Sequence, residues 1–63
     1  MARLVTTPNL ADVDALYQQL IELHAGRSEA DSLRLNARLI LILMNHVGDG
    51  EALREAFALA AGD

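Results

Sequence analysis

Cysteine, tryptophan and lysine are all absent from this sequence, and proline occurs once, at Pro8. Without cysteine there can be no disulfide staple and no thiolate metal site, and cysteine usage gives no sign of a secreted protein. Tyr17 and Phe57 are the only aromatic residues, so an apolar content of 52% is almost wholly aliphatic, which suits helix packing better than a sheet or a stacking platform. Basic residues are scarce as well: five arginines face nine acidic residues, for a net charge of −4. No patch exists that could displace counterions from a nucleic acid, and a nucleic-acid partner is excluded. The apolar run Leu39–Met44 is bounded by Arg38, Asn45 and His46. It falls far short of the roughly 18–20 residues that cross a bilayer. The first residues lack a signal-peptide core. The expectation is a soluble cytoplasmic protein without a membrane partner.

Catalytic sets are missing too. Ser28 and Ser32 sit at a helix start with no histidine and carboxylate placed as base and orienter. Gly48-Asp49-Gly50 is too short to be a phosphate loop. The chain is therefore expected not to be an enzyme and to hold neither cofactor nor metal.

What is there is a stretch around which the rest is arranged, Leu33–Val47, with Leu39-Ile40-Leu41-Ile42-Leu43-Met44 at its centre. Residues 1–8 read as an extended arm, because Pro8 biases its predecessor away from helical angles. Residues 9–63 read as one helical domain. A first helix is expected from about Leu10 to His24, with Asn9 as its cap and Asp12 near the positive end of its dipole. Val13, Leu16, Tyr17, Leu20, Ile21 and His24 form its single apolar stripe. Gly26 fits a left-handed terminator, and Ser28 with Asp31 resembles a capping box. Two helices joined so tightly are expected to lie antiparallel.

The second helix, about Glu29 to Val47, differs in kind. Asp31, Arg34, Arg38 and Asn45 gather in one stripe interrupted by Leu41, and nearly all the remaining circumference is apolar. Leu35, Leu39, Ile42 and Leu43 lie on one flank; Leu33, Ala37, Ile40, Met44 and Val47 lie on the other. A buried strand over Leu39–Met44 is the alternative, disfavoured by the leucine and methionine content. After Gly48, with Asp49 as cap, a third helix of about Glu51 to Ala61 is expected, with Leu53, Ala56, Phe57 and Ala60 on one face. A helix-turn-helix reading fails, because Glu51, Arg54 and Glu55 stand where a recognition helix needs basic and amide residues.

The fold class is thus all-α, a three-helix up-down arrangement completed as a homodimeric bundle. At 63 residues the chain lies below the roughly 70–80 at which one core outweighs chain entropy. At roughly 25 cal/mol per Å², leaving one flank of the second helix bare would forgo several kcal/mol. The candidate interface is Leu35, Asn36, Leu39, Ile40, Ile42, Leu43 and Val47. Asn36 falls inside the apolar arc, where it serves either a ligand or partner, or the fixing of helix register.

Arg34, Arg38, Asn45 and His46 are the candidate ligand or partner contacts. Arg34 and Arg38 lie one turn apart and could clamp an anion, although Glu29 and Asp31 are near enough to neutralise them. His24 and His46 end different helices at opposite poles of a hairpin, which argues against a shared metal. The main alternative to an interaction module is a small-molecule or anion binder using an interhelical pocket around Asn36, Arg34, Arg38 and His46.

The segments Leu35-Asn36-Ala37-Arg38-Leu39-Ile40-Leu41 and Asn45-His46-Val47-Gly48-Asp49, with Thr7-Pro8-Asn9-Leu10 and Leu53–Ala56, resemble a small bacterial family of about this length. That family carries no assigned function. The resemblance implies an association with flavin-dependent aromatic hydroxylases, hence an accessory subunit rather than a catalyst, and brings no catalytic residue with it.

Overall fold

A computed structural model describes residues 4–62. Three helices follow one another: α1 (Val13–His24), α2 (Glu29–Val47) and α3 (Gly50–Ala61). No strand occurs among the described residues, so Leu39–Met44 is helical. The first three residues of the expected arm lie outside the described part; Leu4–Leu10 are non-helical.

Local signals account for the ends of α2 and α3. The Ser28 hydroxyl accepts a hydrogen bond from the Asp31 N–H at 3.1 Å, satisfying one donor of the first turn of α2. At the other end Gly48 takes φ 66°, and its N–H reaches the Met44 carbonyl. That left-handed turn is cheap only for glycine. Asp49 then caps α3, one carboxylate oxygen accepting from the N–H groups of Glu51 and Ala52.

The start of α1 differs from the expected one. The helix opens at Val13, three residues later than Leu10, and Asn9 does not cap it. Asp12 stands at the boundary with φ 56° and makes no side-chain cap, while its carbonyl accepts from the Leu16 N–H. The reason is energetic: Leu10 is exposed. Three more ordered residues would cost conformational entropy with no burial to offset it.

The expected antiparallel hairpin is joined at its root but not packed along its length. No two helices run side by side in close contact. Only Leu35, 7% exposed, and Ala52, 9% exposed, are buried among the described residues. Leu35 lies in the first half of α2; Ala52 lies just beyond the α2–α3 corner.

Candidate functional site

The feature most in need of explanation is the apolar surface left uncovered. A compact monomer of this size is expected to expose about 4,000 Å², yet this chain exposes 5523 Å². The radius of gyration is 13.5 Å, against about 11 Å for a compact chain of 63 residues. The excess in total surface, polar and apolar together, is about 1,500 Å² by the same scaling and exceeds the roughly 800 Å² that each partner contributes to a standard interface.

Exposed large apolar side chains lie on the arm and on all three helices, Leu33, Phe57 and Leu59 among them, and are densest along α1 and the second half of α2. Along the α1 stripe Val13 is 56% exposed, Leu16 43%, Tyr17 63%, Leu20 38% and Ile21 47%, and His24 is half-buried. Along α2 the first half is partly covered through Leu35, whereas Ile40, Leu41, Ile42 and Leu43 are all exposed. Successive helical residues point about 100° apart, so these four spread apolar atoms around the second half of α2, with Leu39 and Met44 half-buried between them.

Among the interface candidates, Ile40, Ile42, Leu43 and Val47 are exposed, Leu39 is half-buried, and Leu35 is already covered within the chain. Asn36 is exposed, and its amide oxygen lies 2.8 Å from His24 Nε2. The other ring nitrogen, Nδ1, lies 2.8 Å from the Leu20 carbonyl. A ring donating from Nδ1 can reach an amide oxygen through Nε2 only when doubly protonated; the neutral ring instead accepts from an Asn36 amide turned over. In either state a polar bridge ties the last turn of α1 to α2. Sequence reasoning did not pair these residues. The signal was present, since each is a polar residue on an otherwise apolar stripe and the two stripes face across a short connection.

The ligand-contact candidates do not converge. Arg34 pairs with Asp31 at 2.6 Å on an exposed surface, an arrangement worth at most about 1 kcal/mol. Arg38, Asn45 and His46 are exposed. No cavity forms among the described residues, and no three of their histidine or acidic side chains gather as a metal site. No helix there is long and apolar enough to cross a membrane. A further contact missed in the sequence links the arm to α3: the Leu4 N–H donates to a Glu55 carboxylate oxygen at 3.0 Å.

The family described as Protein of unknown function (DUF2783) matches residues 4–62, nearly the whole chain, and the chain belongs to it. No curated protein and no solved structure shows significant similarity.

Proposed function

We propose that this member of the family is a non-catalytic helical interaction module, which dimerises through α2 and serves as a small accessory or stabilising subunit of a larger protein. The observation that supports this reading is the size of the uncovered aliphatic surface on α1 and on the second half of α2. Obligate homodimer interfaces bury about 2,000–5,000 Å² in total, and two copies each covering their excess fall inside that range. With α2 covered by its mate, Arg34, Arg38 and Asn45 remain on the outer stripe for a larger partner. The resemblance implies a flavin-dependent aromatic hydroxylase in that role.

Light scattering on the purified chain across a dilution series tests the dimer. A mass of two chains that persists to low micromolar concentration is expected. A mass of one chain at every concentration, with helicity retained, overturns the reading.

A further inference from the structure

We infer that α2 pairs with α2 of a second copy in parallel and in register, through the seam Leu33, Asn36, Ile40, Leu43 and Val47. The inference rests on the dimer reading and adds to it which face of α2 meets its mate and in which direction.

Two stripes of α2 advance by alternating steps of three and four residues, the spacing that keeps one edge of a helix toward a coiled-coil partner. The first is Leu35, Leu39, Ile42 and His46. Its start is already engaged by the chain itself, with Leu35 buried and Leu39 half-buried, and it ends on an ionisable side chain. The second is exposed at all five positions: Leu33 63%, Ile40 53%, Leu43 51% and Val47 50%, with Asn36 exposed among them. At about 100° per residue these five fall within an arc of about 80°. Arg34, Arg38 and Asn45 lie on the opposite side of the helix, as do the exposed Leu41 and Ile42. A mate on the seam therefore leaves both arginines in water. One step upstream the same stripe reaches Glu29 in the first turn, so the apolar seam begins at Leu33.

A second copy fits this seam because the seam matches itself. Asn36 is its one polar position, and in a parallel, in-register pair every level faces its own counterpart, so Asn36 meets the partner's Asn36. An amide has two donors and two acceptor lone pairs, and His24 engages one of the four. A donor and an acceptor remain free in either orientation of the amide, enough for the two copies to bond each other. His24 is itself held to the Leu20 carbonyl, so α1 braces the amide before the mate arrives. Ile40 and Val47 then occupy one set of alternate levels and Leu43 the other, the division of β-branched residues and leucine that favours two parallel strands. In an antiparallel seam the two sets face each other instead. Asn36 would oppose an apolar level, Leu33, Ile40 or Val47, and lose water with no polar group in return. The area suffices: the excess in total surface, about 1,500 Å² per chain, exceeds the roughly 800 Å² that each side of a standard interface contributes. The two-fold axis closes the contact at two copies.

Dimers assembled from isotope-labelled and unlabelled copies of the native chain, examined by filtered nuclear Overhauser spectroscopy, test the seam and its direction. Contacts are expected between the Leu33 methyls of the two copies and, at the other end, between their Val47 methyls. An antiparallel pair brings at most one level against itself, so contacts at both ends exclude it. Because the chain has no cysteine, Val47→Cys gives an independent readout. Oxidised glutathione should convert it to a covalent dimer on a non-reducing gel, whereas Leu41→Cys, on the far side of α2, should stay unlinked. A dimeric mass whose intermolecular contacts join Leu33 to Leu43, or arise from other faces, overturns the seam and leaves the dimer standing. A monomeric mass at every concentration overturns both. Should Val47→Cys lose helicity, the labelled native dimer still decides.

Discussion

The two halves of α2 have the same kind of sequence and are covered to different degrees. Residues 29–38 hold the intrachain anchors: Ser28 caps them, Arg34 and Asp31 pair along the surface, Leu35 is buried and Asn36 meets His24, although Leu33 stays exposed. Residues 39–47 are equally helical, yet Ile40, Leu41, Ile42, Leu43 and Val47 are exposed, and only Leu39 and Met44 are half-buried. Hydrogen bonding within a helix is satisfied by the helix alone, whereas its apolar surface is satisfied only by a neighbour. Backbone order therefore says nothing about whether a helix is complete. The proposed interface lies in the less covered half.

The comparison breaks most severely through the less covered half. Leu43→Glu removes a contact worth about 1.5–3 kcal/mol, and two-fold symmetry counts it twice. It also places unpaired charge at the interface. Association should weaken by at least about 100-fold, read as a shift to monomer mass with loss of helicity by circular dichroism. Leu35→Ala, in the anchored half, should lower the unfolding free energy by about 2–3 kcal/mol through the cavity it leaves. Its mass at concentrations where it remains folded should stay dimeric. If Leu35→Ala dissociates the dimer as readily as Leu43→Glu, the halves are not distinct and the division of labour fails.

Corners offer a smaller contrast, because they are held by a few local hydrogen bonds. Asp49→Ala strips the acceptor from two N–H groups at the start of α3. It should cost about 1 kcal/mol, measured as a lower denaturation midpoint with dimer mass unchanged. Removal of the surface carboxylate in Asp31→Asn should move the midpoint by less, since the Arg34 pair is exposed.

Much of this was legible in the sequence because it is local. The Ser28 and Asp49 caps, the Gly26 and Gly48 turns and the extent of α2 follow from residue type and spacing over a few positions. The breadth of the apolar arc of α2 was legible in the same way. What failed at the start of α1 was a competition that local signals cannot settle. Asn9 and Asp12 both offer a start, and only the lack of anything for Leu10 to pack against favours the later one. The open hairpin was hidden for a similar reason. A short connection restricts where two helices begin, but their closure depends on whether an intrachain neighbour covers more surface than a neighbour from elsewhere.

The finest test uses two glycines separated by a single residue. Gly48 has φ 66°, so Gly48→Ala forces an L-residue into the left-handed region although its Cβ would meet only the Asn45 carbonyl at 3.7 Å. Backbone strain alone should cost about 1 kcal/mol. Gly50 opens α3 at ordinary helical angles, and a Cβ there would approach the Arg54 guanidinium at 3.3 Å. That group ends a flexible, exposed side chain and can move aside. Alanine also loses less entropy on entering a helix, so Gly50→Ala should stabilise by up to about 0.5 kcal/mol. Denaturation midpoints should therefore shift in opposite directions. If both fall, the α2–α3 corner is packed more tightly than its exposure implies, and the contrast between finished corners and bare helix faces would extend to steric fit as well as hydrogen bonding.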